Sequence, residues 1–258
     1  MGGRIEIIGA ATLILGDALD EMRSLPTGSV DGILQDPPYC SGSVSEASRT
    51  QAKRQGVRPE RTRFDSWFVG DNMGTAGLAF LLRSVAFEGL RLMTPESSLV
   101  TFCDWRMVPT LAPAIESAGL RWQNLLAWDK EVLGMGDGFR AQHEMALHHT
   151  TGSPRYHHKG TGNLLSCRRV PRDDREHQTQ KPLELLERIL QVIMPPGGCI
   201  LDPFMGSGST GVAVVKGGGR FIGIERDPEY FETACRRIAG VQPCEPARDA
   251  GDLFSVAA

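Results

Sequence analysis

Several features are scarce or missing in this sequence, and each absence narrows the kinds of protein that it can encode. The six cysteines are scattered and none forms a C-x-x-C pair, so we expect neither a zinc site nor a redox motif. No apolar run approaches the roughly 20 residues that span a membrane. The first residues show no apolar signal-peptide core, so we expect a cytoplasmic protein that does not contact a membrane.

Net charge is also small, at −3, but the basic residues are distributed unevenly. Residues 49–63 carry an excess charge of +5 and residues 155–175 an excess of +4, which leaves the rest of the chain acidic. Such basic segments either hold a phosphate backbone or form solvated loops. Charge by itself favours neither interpretation.

Four histidines also lie close together in the sequence, namely His148, His149, His157 and His158. No cysteine or suitably spaced acid completes a metal-binding set, so we expect a β-hairpin whose histidines face DNA or solvent rather than a metal. The tryptophans that we expect in the core are Trp105, Trp122 and Trp128.

Apolar periodicity predicts alternating strands and helices along most of the chain. The predicted strands cover 11–15, 30–34, 98–103, 120–128, 143–149, 199–201 and 220–225. The predicted helices cover 19–25, 77–93, 106–118, 182–194, 209–215 and 229–239. Repeated β-α units predict one α/β domain, residues 1–258, with a largely parallel sheet and helices on both faces. Residues 40–71, rich in Ser, Gly, Arg and Gln, predict a long mobile loop.

One glycine-rich stretch joins a predicted strand to a predicted helix and reads Asp202-Pro203-Phe204-Met205-Gly206-Ser207-Gly208-Ser209-Thr210. Together with Gly211 it satisfies G-x-G-x-x-G, and Glu225 ends the next predicted strand, where it can accept hydrogen bonds from ribose hydroxyls. The motif suits a dinucleotide nearly as well as an adenosine–methionine conjugate.

Two observations favour the second ligand. Only 33 residues follow Glu225, too few for the second half of a dinucleotide domain. The carboxylate of Asp202 would repel a pyrophosphate but suits a ligand that carries an amino group and a sulfonium. The alternative for Asp202 is a role in capping the turn.

A second motif, Asp36-Pro37-Pro38-Tyr39, follows the strand predicted at 30–34. Two prolines can make a rigid turn, but ligands of open α/β sheets bind beyond the carboxyl ends of strands, where this motif falls. Asp36 and the Pro37 carbonyl can each accept one N–H of an exocyclic amino group, while Tyr39 stacks on a flipped base. Such catalysis would rest on alignment and electrostatics, without a metal or a covalent intermediate.

Both motifs together resemble the beta class of amino DNA methyltransferases, whose permuted order places D-P-P-Y early and F-x-G-x-G late. This chain has that order, with Asp36–Tyr39 first and Phe204–Gly208 last. Further similar stretches are Gly16–Leu19, Ser29–Tyr39, Trp128–Lys130 with Arg140 and His143–Glu144, and His177–Pro182, where Gln178 replaces the proline of H-P-T-Q-K-P.

The resemblance implies a class I methyltransferase-like (Rossmann-like) fold with a mostly parallel seven-stranded sheet, and S-adenosylmethionine as the cofactor. It implies that Asp17 contacts the adenine, Lys181 the methionine end and Glu225 the ribose. The implied cofactor-binding residues are Asp17, Ala18, Lys181, Asp202, Pro203, Phe204, Gly206, Ser207, Gly208, Ser209, Thr210, Glu225 and Arg226. The alternatives are a surface acid for Asp17, a helix-start cation for Lys181 and a core aromatic for Phe204.

The resemblance also implies double-stranded DNA as the partner, a bacterial or phage origin, and a homodimer as one possible assembly. Loop 40–71 would face the DNA, and segment 145–176 would be a small target-recognition insert. The basic residues expected to contact DNA are Arg54, Arg58, Arg61, Arg63, Arg140, Arg155, Lys159, Arg168 and Arg169.

Adenine N6 is the preferred target, because aspartate before Pro-Pro-Tyr is commoner among adenine enzymes of this family and serine among cytosine-N4 enzymes. Cytosine N4 is the alternative. A nicotinamide-dependent oxidoreductase would leave D-P-P-Y unexplained. An inactive DNA-binding homologue would need neither the intact Asp36 nor the glycine loop.

Overall fold

The computed structural model describes residues 3–38, 74–134, 137–169 and 181–241. These residues contain a nine-stranded sheet with the order β1-β2-β9-β8-β3-β4-β6-β5-β7. The strands are β1 (Arg4–Ile8), β2 (Ala11–Leu15), β3 (Val30–Gln35), β4 (Met93–Cys103), β5 (Arg121–Asp129), β6 (His143–Thr150), β7 (Leu164–Ser166), β8 (Cys199–Asp202) and β9 (Arg220–Glu225).

Six α-helices and one short 3₁₀ turn (Trp105–Met107) accompany the sheet in the described part of the chain. The helices are α1 (Ala18–Ser24), α2 (Thr75–Leu92), α3 (Val108–Glu116), α4 (Leu183–Ile193), α5 (Ser209–Lys216) and α6 (Pro228–Ala239). Across these described ranges, no helix is both long enough and apolar enough to cross a membrane.

The centre of the sheet is parallel, with β2, β9, β8, β3 and β4 running in one direction. Strand β6 lies between β4 and β5 and is antiparallel to both. This arrangement confirms the mostly parallel α/β sheet predicted from the sequence, but the predicted count of seven strands was wrong. The described residues add two edge strands, β1 and β7, which are too short to be stable without the neighbour that each pairs with.

Two apolar clusters cover the two faces of the sheet. Helices α1, α2 and α3 pack against one face, and α4, α5 and α6 against the other. Helix α4 shows why: Leu185, Leu186, Ile189, Leu190 and Ile193 recur at helical spacing and are all buried. Burial of each such side chain stabilises the fold by about 1.5–3 kcal/mol, so this stripe fixes the helix, and the residues just before it, on the sheet.

The histidine prediction was wrong for His148 and His149. Both lie on β6, which has a strand on either side, and both are buried. His148 Nε2 contacts Ser98 Oγ at 3.0 Å and His149 Nε2 donates to the Ala112 carbonyl at 3.2 Å. Burial lowers the pKa of His148 to about 4, so this side chain is a neutral core residue.

Only one of the three tryptophans occupies the predicted core. Trp128 is buried and donates to the Cys167 carbonyl at 2.7 Å. Trp105 is 52% exposed and Trp122 42% exposed, so the core prediction was wrong for these two. Trp105 lies on the surface 3₁₀ turn, and Trp122 on the exposed first half of β5.

Candidate active site

Acidic residues gather where three adjacent parallel strands end. Strand β8 ends at Asp202, β9 ends at Glu225, and Asp36 directly follows the last residue of β3. Because β9, β8 and β3 are neighbours in that order, their carboxyl ends meet at one edge of the sheet. The two sequence motifs therefore come together in one site, although they are far apart in the chain.

Not all of the predicted site lies within the described residues. Asp36, Pro37 and Pro38 do, with Pro37 buried, but Tyr39 lies outside them. Loop 40–71, with Arg54, Arg58, Arg61 and Arg63, also lies outside them. The expectations for these residues stay predictions.

A network of backbone hydrogen bonds shapes the glycine-rich loop after β8. Asp202 Oδ1 accepts from the Phe204 N–H at 3.0 Å, and Glu225 Oε2 accepts from the Gly206 N–H at 2.9 Å. Gly206 and Gly208 have φ values of 51° and 80°, a region that favours glycine. A Cβ on Gly208 would also lie only 2.9 Å from the Ala234 Cβ. These hydrogen bonds and the two left-handed glycines fix a tight turn between β8 and α5, which begins directly after Gly208.

The pKa of Asp202 is shifted strongly by its surroundings. Its side chain is 2% exposed, and burial raises its pKa to about 7, although hydrogen bonds from Thr210 and the Phe204 N–H oppose this rise. The negative charges of Asp36 and Glu225 raise the pKa further. An acid in this position gains from a positively charged ligand beside it.

Glu225 and Asp17 lie next to each other at the ends of β9 and β2. The Gly16 N–H donates to the Glu225 carbonyl at 2.9 Å, which joins the two strand ends. Burial raises the pKa of Glu225, whose Oε1 also accepts from the Asp227 N–H at 2.8 Å. Asp17 is exposed and caps α1 by accepting from the Leu19 N–H at 3.0 Å. Both acids thus border the space in front of the glycine loop.

The remaining predicted cofactor residues surround the same loop. Arg237 donates to the Ser207 carbonyl at 2.7 Å and to Ser209 Oγ at 3.1 Å, which fixes the start of α5 from behind. Ala18, Pro203, Ser207, Ser209 and Thr210 are buried, Phe204 is half-buried and Arg226 is exposed.

Lys181 lies beside Asp36, the first residue of the Asp-Pro-Pro-Tyr motif. Its Nζ donates to Asp36 Oδ2 at 2.6 Å and to Glu144 Oε1 at 2.8 Å, and it lies 4.8 Å from the centroid of the Phe102 ring. Burial lowers the pKa of this lysine, but the two carboxylates outweigh burial and leave the pKa raised. The resemblance implied a contact with the methionine end of the cofactor; the structure brings Lys181 to Asp36.

Glu144 and Lys130 complete this charged cluster, and sequence reasoning did not select either one as a site residue. Glu144 Oε2 accepts from Lys130 Nζ at 2.9 Å, so the carboxylate lies between the two ammonium groups. The available signal was the Trp128-Asp129-Lys130 and His143-Glu144 block, which the family resemblance included. The sequence did not show that Lys130 and Glu144 contact each other, because this contact depends on the pairing of β5 with β6.

The exposed basic residues of the second basic segment divide between the two ends of the sheet. Arg168 and Arg169 follow β7, and the Arg169 N–H reaches the Lys130 carbonyl at 3.4 Å, near the catalytic edge. Arg140 lies in the β5–β6 connection at the same edge, where its Nε donates to the Gly134 carbonyl. Arg155 instead pairs its N–H with the Glu96 carbonyl in the first half of β4, toward the opposite edge. The exposed Lys159 lies two residues after His157, whose backbone N–H donates to the Val192 carbonyl in the last turn of α4.

In the parts of the chain described by the structure, no group of three or more His, Cys, Asp or Glu side chains forms a candidate metal site. The site is therefore built from carboxylates, lysines and a glycine loop. A glycine loop between the central strand β8 and α5, an acid at the end of β9 and an antiparallel β6 beside β5 define a class I methyltransferase-like protein.

The profile of the DNA methylase family N6_N4_Mtase matches residues 30–236, and the chain belongs to this family. It is thus a DNA methyltransferase of the N6/N4 class, as the resemblance predicted. Membership excludes the nicotinamide-dependent oxidoreductase as the family of this chain.

Known proteins of similar sequence and structure agree with this family. The chain is 29% identical over 254 residues to the DNA adenine methyltransferase YhdJ of Escherichia coli (strain K12), covering 89% of this chain and 83% of the relative. The crystal structure of the M1.HpyAVI–SAM complex has a TM-score of 0.65 at 24% identity, with 88% and 98% of the chains covered. The cytosine-N4-specific PvuII DNA methyltransferase has a TM-score of 0.66 at 14% identity, with 91% and 90% covered. At 24% and 14% identity, the similarity to these two structures supports only the fold.

Proposed function

We propose that this protein transfers the methyl group of S-adenosylmethionine to N6 of an adenine that is flipped out of double-stranded DNA. The observation that carries the proposal is the position of Asp36. Its carboxylate is held by Lys181 at 2.6 Å, at the same sheet edge as Asp202 and the glycine loop. A hydrogen-bond acceptor for an amino group and a cradle for a cationic nucleoside thus share one site.

S-adenosylmethionine fits the residues of this edge. The ligand carries a sulfonium and an amino group. Burial and the negative charges of Asp36 and Glu225 raise the pKa of Asp202 to about 7, so this carboxyl group would be stabilised in its ionised form by a positive ligand. Glu225 is oriented by the Gly206 and Asp227 N–H groups, and its remaining lone pairs can accept from a ribose hydroxyl. We assign Asp202, Glu225 and the loop from Pro203 to Thr210 to this ligand, with Asp17, Ala18 and Arg226 at its adenosine end.

When bound, this cofactor supplies a methyl group on a sulfonium, which is already a strong electrophile. The residues of the chain therefore act on the nucleophile. Asp36 accepts one N–H of the target amino group and the Pro37 carbonyl accepts the other, so the nitrogen lone pair points at the methyl carbon. On transfer, the cofactor would leave as the neutral thioether, and the proton released by the amino nitrogen would pass through the Asp36 carboxylate to solvent. Pro38 stiffens the motif, and we assign the stacking of the base to Tyr39.

Two considerations support adenine over cytosine. Aspartate precedes Pro-Pro-Tyr here, and in the family that the sequence resembles aspartate is commoner at this position among adenine enzymes and serine among cytosine-N4 enzymes. The relative YhdJ, at 29% identity, is named a DNA adenine methyltransferase. The similarity to the cytosine-N4-specific PvuII enzyme does not favour cytosine as the target base, because a similarity at 14% identity supports only the fold.

Digestion of methylated DNA to nucleosides, followed by mass spectrometry, tests the proposed base. We expect N6-methyladenine as the dominant product after incubation of the purified protein with DNA and S-adenosylmethionine. A dominant N4-methylcytosine peak would overturn the base assignment and retain the cofactor. Absence of any methylated nucleoside, with DNA of varied sequence, would overturn the proposal as a whole.

We further expect Arg168 and Arg169 to contact the phosphate backbone, because both are exposed beside the catalytic edge. Replacing both by glutamine should lower the magnitude of the log–log salt slope of DNA affinity by about 0.9 for each lost contact, or about 1.8 in total. Fluorescence anisotropy with labelled duplex at several salt concentrations measures the slope.

Arg155→Gln is the control for this experiment, since Arg155 lies toward the opposite edge of the sheet. It should leave the salt slope unchanged. A double variant at 168 and 169 with the wild-type slope would show that the DNA does not approach this edge through these two residues.

A further inference from the structure

Four side chains at this edge of the sheet form successive ion pairs with alternating charge. Lys130 Nζ lies 2.9 Å from Glu144 Oε2, and Lys181 Nζ lies 2.8 Å from Glu144 Oε1 and 2.6 Å from Asp36 Oδ2. Two lysines and two acids balance each other, which is the condition under which buried charges are tolerated. We refer to these four residues as the charge chain.

The outer half of the charge chain rests on paired strands. Glu144 on β6 is the partner of Trp128 on β5, and the Lys130 N–H donates to the Gln142 carbonyl at 2.9 Å. The strand pairing therefore fixes both backbones. Glu144 is buried and Lys130 is 25% exposed, so the charge chain runs from near the surface into the site.

The inner half depends on the outer half for its position. Lys181 has a flexible four-carbon stem, and it lies just before the N-terminus of α4. Its ammonium contacts Asp36, Glu144 and the Phe102 ring, and the two carboxylates raise its pKa against burial. Loss of the Glu144 charge would therefore remove one of the two negative charges that stabilise this buried ammonium.

We propose that Glu144 and Lys130 are positioning residues of the methyl-transfer reaction, which hold the Lys181 ammonium in place and thereby fix the direction in which Asp36 accepts the target N–H. Neither residue touches the substrate; both act through Lys181. The inference rests on the proposed function, because it assumes that Asp36 binds the amino group that receives the methyl.

Glu144→Gln tests the inference, because this change removes the charge and keeps the shape. We expect kcat to fall by about tenfold to a hundredfold, since a small misplacement of a group that aligns the reacting atoms has effects of this size. Cofactor affinity, measured by calorimetric titration, should stay within about twofold of wild type, because the loss concerns alignment and not binding.

The pH profile provides a readout that a structural role would not move. The charged or titratable groups that act on Lys181 are Asp36 after β3, Cys103 at the end of β4 and Glu144 at the start of β6. Asp104 and Lys130 in turn act on Glu144, and Asp202 acts on Asp36. In the wild type two carboxylates keep the pKa of Lys181 raised against burial. In Glu144→Gln the pKa falls, so kcat should decline on the alkaline side at a lower pH than in the wild type.

Lys130→Met should differ from Glu144→Gln in its effect on the pKa of Lys181. It removes the cation at the outer side of Glu144 and keeps both carboxylates that contact Lys181, so the pKa of Lys181 should not fall and no new alkaline decline should appear. We expect kcat to drop several-fold, by about threefold to tenfold. The double variant should lose no more activity than Glu144→Gln, since Lys130 acts through Glu144.

Glu187→Gln is the matched control. Glu187 forms an exposed ion pair with Lys216, 2.7 Å apart, on the outer surface of α4 and α5. The same chemical change there should leave kcat, its pH profile and cofactor affinity unaltered.

Total methyl transfer from tritium-labelled cofactor is the assay, so that the result does not depend on the base. A Glu144→Gln protein with the kcat and pH profile of the wild type would overturn the inference. If this variant does not fold, as judged by thermal unfolding, Lys130→Met decides, and an unchanged kcat there would overturn it. Failure of the wild type to methylate DNA would instead count against the proposed function.

Discussion

Asp36→Ala is expected to lower methyl transfer by about a hundredfold or more, since it removes a preorganised acceptor from the reacting nitrogen. Asp36 lies at the carboxyl end of β3, and Lys181 fixes its carboxylate at 2.6 Å. Without it the amino group keeps its lone pair delocalised in the ring. Cofactor affinity should change little, because the glycine loop and Glu225 are unaltered.

Single-turnover methylation measures the first effect and calorimetric titration the second. Asp36→Asn refines the test, because an amide retains one acceptor oxygen but no charge, and should recover part of the rate. Asp20→Asn is the control, since Asp20 is an exposed acid of α1 that pairs with Arg23. An Asp36→Ala protein with wild-type activity would exclude the proposed role of the motif.

Asp202→Asn is expected to weaken cofactor affinity by about tenfold to a hundredfold, which corresponds to the loss of one charged hydrogen bond of about 1.5–3 kcal/mol. Asp202 ends β8 and is 2% exposed, so solvent screens its charge little. The amide keeps the shape of the turn and can still accept from the Phe204 N–H. The rate at saturating cofactor should fall less than the affinity.

The affinity of the wild type should also depend on pH. Burial raises the pKa of Asp202 to about 7, so the protonated form prevails below neutrality and the ionised form above it. A cationic ligand prefers the ionised form, so affinity should rise from pH 5 by up to about tenfold per unit and level off above the pKa. Asp202→Asn should abolish this dependence. An identical pH dependence in the variant would show that another group controls binding.

The same shift affects the stability of the ligand-free protein. An acid whose folded pKa lies above its unfolded value of about 3.9 binds more protons when folded, so its contribution to stability is lost as pH rises between about 4 and 7. Thermal unfolding across this range should show Asp202→Asn gaining stability relative to wild type toward neutral pH. The stability of Asp202→Asn minus that of the wild type should rise with pH, and a value that falls as pH rises would contradict the raised pKa.

Local sequence was sufficient where one short segment carries a whole structural unit. The stretch from Ile200 to Thr210 contains a buried strand, a turn that needs glycine, and the first turn of a helix, so the strand–loop–helix unit could be predicted directly. The order of the two motifs identified the family and with it the mostly parallel sheet. The edge strand β1 was not predicted, because a short edge strand depends on pairing with its neighbour β2. The segment up to about Cys167 was predicted to be β-like and rich in loops, and β7 lies within it.

Charge patterns gave less reliable predictions, since they do not show where a segment lies in space. The segment from Arg155 to Arg169 reads as one basic stretch, yet its ends lie toward different edges of the sheet. His148 and His149 are polar by type, but β6 runs between β4 and β5 and buries them. Burial depends on which strands become neighbours, and this information is not local.

The amino-acid sequence by itself determined the family, the cofactor motif and the acid at Asp36, because each depends on residue types at short, fixed spacing. Only the tertiary structure decided which groups surround that acid. Lys181 precedes α4, Glu144 lies on β6 and Lys130 follows β5. They meet at Asp36 because α4 and β6 begin, and β3 and β5 end, at the same edge of the sheet. Ion pairs of a few ångströms arise from strand order, which joins residues that the chain keeps far apart.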